Sequence, residues 1–287
     1  MKFLKAYIEI TNICGLACSF CPPKLKPNLT MSLEQFSKVL DELKPYTNEI
    51  ALHVMGDPIV VSNLNEYLDI AKQKKMKVTI TTTGYFLEKI DSSILLHDAI
   101  KQINFSLNSF NKNDLNKSFE EYIKPLIEFA KKKVEINTNS FINFRLWNID
   151  KKSSEDSYNK EVLEYLGDIY NLDLKAPKEK DTLRLDNKVL IHFDTYFEWP
   201  SLKNVHFSHG YCHGLSKQIA ILSDGTVVPC CLDGEGVINL GNVFENSLVD
   251  ILKSKKAQDI LEGFRDKKAV EELCQKCSYK VRFNESS

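Results

Sequence analysis

The chain has little net charge, little arginine and no long apolar run, and each absence narrows what it can be. Among 287 residues, 38 Lys+Arg stand against 39 Asp+Glu, a formal net charge of -1. Such a surface sets up no broad basic field, so a nucleic-acid partner is not expected. The cluster Lys131-Lys132-Lys133 reads as a solvated helix end. Only four basic residues are arginine, at 145, 184, 265 and 282, a bias that reads as genome composition rather than function. The start, Met1 to Ala6, is basic, but the Tyr7-Ile8-Glu9-Ile10 that follows is too short and too charged for a leader or a membrane span. The expectation is a cytoplasmic protein with no membrane partner.

What is present is an ordinary globular composition, 43% hydrophobic and 27% charged, long enough for a large domain plus a smaller one. Eight cysteines would mean disulfides in a secreted chain, but in a reducing cytosol the same count points to metal sites. Over the first two-thirds, short β-rich runs alternate with helical periodicity, the pattern of parallel β/α units. Strands are predicted at 3–10, 49–54, 77–83, 102–108, 141–147 and 188–193. The intervening helices are placed after the Ser32/Gln35 capping box, at 64–74, near 92–97, at 115–132 with an interruption at Pro125, and at 159–170. Segment 150–187, rich in Lys, Asp, Glu and Ser, reads as an uncertain connection.

The chemistry is concentrated in Cys14, Cys18 and Cys21, a C-x3-C-x2-C run with Phe20 just before the last cysteine. A closed zinc or iron–sulfur site normally takes four protein ligands, so a compact trio implies a distant fourth residue or a position kept for a small molecule. The run resembles the radical S-adenosylmethionine (radical SAM) superfamily. The resemblance implies a 4Fe-4S cluster on Cys14, Cys18 and Cys21, with SAM chelating the fourth iron. One electron then cleaves SAM to a 5′-deoxyadenosyl radical that abstracts a substrate hydrogen. It also implies an α/β fold with a partial (β/α)6 barrel over residues 1–204, with cofactor and substrate at the carboxyl ends of the strands.

Those ends hold the remaining candidates. Met55-Gly56-Asp57-Pro58 is similar to the family's GGEP-type motif, which contacts the methionyl amine, with Asp in place of Glu; a plain turn is the alternative. Thr81 to Gly84 is similar to a T-N-G ending, so Thr82 or Thr83 faces the cofactor or serves only as a strand residue. Ser106 and Arg145, on the fourth and fifth strands, match positions that bind the SAM carboxylate in relatives, and an arginine fork suits a carboxylate. A buried structural salt bridge is the alternative for Arg145. Trp147 and Asn148 read as pocket or core.

The final third differs. Asp224-Gly225 between apolar runs signals a hairpin, a helix is predicted from about Ser247, and Cys274 and Cys277 form a C-x2-C pair. This resembles the SPASM/Twitch auxiliary-cluster extension, a small α+β domain with a β-hairpin and helix over 205–287. The resemblance assigns Cys212, Cys230, Cys274 and Cys277 to one auxiliary 4Fe-4S cluster in the shorter, single-cluster form. Adjacent cysteines face opposite ways on a strand, so Cys230 and Cys231 are not expected to share it, and Cys231 is left as a buried thiol. A four-cysteine zinc site competes, with His206, His209 and His213 nearby but expected on the surface or in local hydrogen bonds.

The function expected is a radical SAM oxidoreductase, a dehydrogenase-type enzyme whose auxiliary cluster accepts the substrate's second electron. Relatives of single-cluster form include an aminocyclitol dehydrogenase. The alternatives are a peptide- or protein-modifying maturase and a noncatalytic zinc scaffold. Expected partners are a small-molecule or peptide substrate and a one-electron donor such as flavodoxin or ferredoxin. Asp233, Glu235 and His53 are candidate bases.

Overall fold

The computed structural model describes residues 1–147, 155–175, 181–195, 197–206 and 210–283. Two compact units emerge: Met1–Gly15, Phe20–Val78 and Phe197–Ser287 form one, and Leu16–Ser19 with Thr79–Tyr196 the other. The first unit opens with β1 (Lys5–Ile8), α1 (Leu33–Leu43), β2 (Glu49–Ala51) and α2 (Leu64–Gln73). The Ser32/Gln35 capping box is present at α1, where it satisfies orphan N–H groups. Leu64, Tyr67, Leu68 and Ala71 form the buried face of α2, as the periodicity required.

β3 (Lys77–Thr82) begins in the first unit and ends in the second, where it runs beside β4 (Ile100–Ser106). The second unit continues with α3 (Asn108–Asn111), α4 (Phe119–Ile136), β5 (Phe141–Leu146), α5 (Asp156–Tyr170), β6 (Thr182–Asp186) and β7 (Val189–Phe193). β4, β5 and β7 pair in parallel, and β6 folds back antiparallel on β7. Strand alternation puts Ile103, Phe105, Ile142, Phe144, Ile191 and Phe193 into the core. The opposite face carries Asn104 and Ser106, Asn143 and Arg145, and His192.

Three expectations fail here. α4 passes straight through Pro125 instead of breaking. Its buried face, from Tyr122 and Ile123 to Phe129 and Ala130, spans the proline and outweighs the lost hydrogen bond of about 3 kcal/mol. Lys133 is not solvated: it is 1% exposed, its ammonium donates to the Asn187 carbonyl at 3.4 Å, and burial pushes its pKa down. The supposed connection also contains β6, an edge strand whose Thr182-Leu183-Arg184-Leu185-Asp186 alternation offers only two apolar residues within a charged segment.

The chain returns to the first unit with β8 (Gln218–Ile221) and β9 (Val227–Val228), then α6 (Leu248–Lys253), α7 (Lys255–Arg265) and α8 (Glu272–Gln275). The hairpin turn at Asp224-Gly225 is formed; Gly225 has φ +84° and its Cα lies against Asn242 and Phe244, where no side chain fits. β8 pairs in parallel with β1 from Lys5↔Gln218 to Ile8↔Ile221, so the hairpin extends the sheet that starts the chain. In the second unit β6 pairs only with β7, and in the first β9 pairs only with β8. Among the described residues no helix is long and apolar enough to cross a membrane.

Candidate functional site

Cys212, Cys230, Cys274 and Cys277 line one cavity in the first unit. They come from three stretches of chain. Cys212 precedes β8, Cys230 follows β9 where the strand has ended, and α8 with the turn after it presents Cys274 and Cys277 three positions apart. Leu232, Ile238, Phe264 and Leu273 supply apolar walls. Burial pushes the Cys212 thiol up to about 11, Cys230 and Cys274 well above their ordinary value, and Cys277 in the same direction. Four cysteines around one cavity are the donor type and number that a protein-ligated iron–sulfur cluster takes, so in their chemistry the residues fit one.

Cys231 does not line the cavity; the Tyr7 hydroxyl is its hydrogen-bond partner. His213 packs on Phe283 with ring centroids 4.2 Å apart, and His206 bonds Gln275, so neither joins the thiols. His209 lies outside the described residues. Asp233 does line the cavity, but it is buried and its two oxygens accept the backbone N–H groups of Val237 and Ile238 at 2.8 and 2.7 Å. Burial raises its pKa against those bonds. Glu235 accepts the Leu25 N–H, and His53 packs edge-on against Tyr7 at 5.6 Å. Asp233 and Glu235 are loop organisers in this geometry.

In the same unit the turn at Gly56 and Asp57 lies on the backbone that leads into Cys14. The Asp57 N–H donates to the Ile13 carbonyl at 3.0 Å, and a Cβ on Gly56 would overlap the Thr11 carbonyl. Asp57 is 2% exposed and its Oδ1 accepts the Ile59 N–H, which fixes its rotamer. The loop that begins at Cys14 is tied at its base: Asn12 donates to the Pro27 carbonyl and accepts from the Leu29 N–H, and Thr11 bonds Thr30. Cys14 is half-buried, Cys21 exposed and Phe20 half-buried. The buried Glu9, just past β1, takes the Met55 N–H on one oxygen and the Ser223 N–H and hydroxyl on the other.

In the second unit Cys18 is buried, and its sulfur accepts from the Asn113 amide at 3.0 Å while Asn113 accepts the Ala17 N–H. Ser106 and Arg145 are direct register partners on β4 and β5, both half-buried on the polar face. Among the described residues Arg145 makes no ion pair, so the structural salt bridge considered for it is absent there. Thr83 is buried, its hydroxyl accepts the Tyr85 N–H and its carbonyl accepts the Tyr122 hydroxyl. Thr82 bonds the Gly84 N–H. Trp147 is half-buried with its backbone held by Asn108 and Asn159; Asn148 lies outside the described residues. Glu9, Asn113 and Lys280 belong to no motif in the sequence; only Glu9 carried a signal, an acid directly after the apolar Ala6-Tyr7-Ile8 of β1.

Comparison with known proteins fits this geometry. A family model described as the radical SAM superfamily matches residues 8–143, and one described as an iron-sulfur cluster-binding (SPASM) domain matches residues 212–278. The chain belongs to the radical SAM superfamily and carries a C-terminal SPASM domain. Membership implies 4Fe-4S clusters and SAM binding. Among solved structures, BtrN in complex with AdoMet and 2-DOIA is 16% identical with TM-score 0.53, covering 97% of this chain and 94% of that one. Streptococcus suis SuiB bound to precursor peptide SuiA is 20% identical with TM-score 0.60, covering 96% and 70%. The protein anSMEcpe with bound AdoMet is 13% identical with TM-score 0.60, covering 96% and 84%. At these identities the likeness is one of fold. By sequence, no curated protein matches the chain.

Proposed function

We propose that the chain is a radical SAM oxidoreductase that removes hydrogen from a small-molecule substrate in a net oxidation. The carrying observation is the set of four thiols around one cavity, with Cys231 outside it. Cys14, Cys18 and Cys21 are assigned to the SAM-binding cluster, and Cys212, Cys230, Cys274 and Cys277 to the auxiliary one. When bound, SAM and its cluster supply a hydrogen-abstracting radical, and a fully protein-ligated cluster supplies a one-electron acceptor.

This chain's residues do the binding and orienting. The Arg145 fork, on the register partner of Ser106, is assigned to take a carboxylate in two bonds. Gly56 lets the 55–58 turn sit on the Thr11 backbone, which sets where the Asp57 carboxylate stands for an amine. Thr83 offers a backbone already fixed by Tyr122. Phe20, next to Cys21 in the chain, is assigned to the cofactor side of the loop. A flavodoxin- or ferredoxin-type donor supplies the first electron.

Near-complete mutual coverage with BtrN supports the small-molecule reading. Likeness to SuiB bound to its precursor peptide supports a second reading, a peptide-modifying enzyme, although this chain spans only 70% of that structure. The test is iron and sulfide content after anaerobic reconstitution, then 5′-deoxyadenosine formation with SAM and dithionite. About eight irons and deoxyadenosine are expected, four irons to each cubane; zinc alone with intact SAM would refute both readings.

A further inference from the structure

We propose that Lys280 sets the electron affinity of the cluster held by Cys212, Cys230, Cys274 and Cys277. The inference rests on the assignment of those four cysteines to one cluster. Lys280 is 1% exposed and lines the same cavity as the thiols. It lies in the 3-10 turn Ser278–Phe283, and its ammonium reaches back to the carbonyls of Cys274 at 2.6 Å, Gln275 at 3.4 Å and Cys277 at 3.4 Å.

Three acceptors match the three N–H donors of an ammonium. A neutral amine has two donors and would turn a lone pair onto a carbonyl oxygen, so the three carbonyl acceptors favour the charged form against the burial that lowers its pKa. Capping the end of α8 needs no burial, because lysines commonly reach helix ends from the surface. A buried cation is costly to desolvate unless anionic groups lie near it, and besides the three carbonyls the groups that act on Lys280 electrostatically are Cys277, Cys274 and Cys212.

Each electron added to a four-thiolate cluster increases its negative charge. A fixed cation on the cavity wall therefore stabilises the reduced form more than the oxidised one and raises the potential. Asp233, on the same wall, acts in the opposite sense, but its oxygens are turned onto the Val237 and Ile238 N–H groups. The two backbone dipoles offset part of its charge, and Lys280 is the cation that the fold aims along the ligand backbone.

The test uses the full chain with Cys14, Cys18 and Cys21 each replaced by Ala, so that only the C-terminal site binds iron. After anaerobic reconstitution, iron and sulfide are counted and the midpoint potential is read from an EPR-monitored redox titration. Lys280→Met and Lys280→Gln should lower the potential at full iron content, and Lys280→Arg should leave it near the parent value. An unmoved potential in Met and Gln overturns the proposal, as does an equal drop in Arg. So does loss of iron from both neutral variants, which would make Lys280 a structural cap. A parent protein that binds no iron would instead defeat the cluster assignment itself.

Discussion

The two cysteine sites are built on opposite plans. Cys14, Cys18 and Cys21 lie within eight residues of chain, on a loop tied at its base by Asn12 and Thr11, and run from buried Cys18 to exposed Cys21. The quartet is drawn from separated stretches that only the folded chain brings around one apolar-walled cavity. A short loop with an exposed member can admit another molecule to the metal. On the proposed assignment, a cavity whose thiols come from three stretches would spend every cluster position on protein. The first plan suits chemistry on a bound cofactor, and the second suits electron transfer with no exchangeable ligand.

The largest expected effects would break that contrast outright. Cys14→Ala should abolish 5′-deoxyadenosine formation, whereas Cys274→Ala should lose about half the iron, keep measurable SAM cleavage and stop substrate oxidation. Cys231→Ser serves as the internal comparison: held by Tyr7 outside the cavity, it should keep full iron. Normal substrate turnover in Cys274→Ala would remove the electron-acceptor role. Loss of iron in Cys231→Ser together with retention in Cys230→Ser would exchange the assignments of these two neighbours.

A smaller effect sharpens the open site. Arg145→Lys replaces a two-bond fork with a point charge, and a lost charge-assisted bond of about 1.4 kcal/mol corresponds to roughly tenfold weaker binding. Equilibrium dialysis of SAM against the variant should show that weakening, with unfolding temperature little changed because Arg145 makes no ion pair among the described residues. Unchanged affinity would leave Arg145 without a place in SAM binding.

Legibility in the sequence divided along the same line as the sites. The α1 capping box, the α2 apolar face and the Asp224-Gly225 turn are local patterns, and all were readable because spacing alone determines them. The pairing of β8 with β1 was not readable, because it joins residues more than two hundred positions apart and strand partners leave no mark on composition. β6 was missed because an edge strand with one solvated face lacks an apolar run. Pro125 was overread: a local breaker rule lost to the packing of the helix around it. The contacts that orient the thiols, Asn113 on Cys18 and Lys280 on the C-terminal pair, are set by tertiary placement, which no motif encodes.

Glu9 gives the finest test of how the first unit is tied together, since one carboxylate holds both the 55–58 turn and the hairpin residue Ser223. Burial raises its pKa above the ordinary 4.5, and the Met55 and Ser223 hydrogen bonds only partly oppose that. A raised folded-state value means the folded chain binds this proton more tightly than the unfolded chain does. The group's contribution to stability is therefore fully present below 4.5 and is lost as pH rises through the folded value. Glu9→Gln removes the titration but keeps the shape. The stability of the variant relative to the parent, measured by urea unfolding across pH, should rise through the window that opens at 4.5 and level off above the folded value. A difference that stays flat across that window would mean Glu9 keeps an ordinary pKa, and the three hydrogen bonds, rather than burial, would then govern its charge.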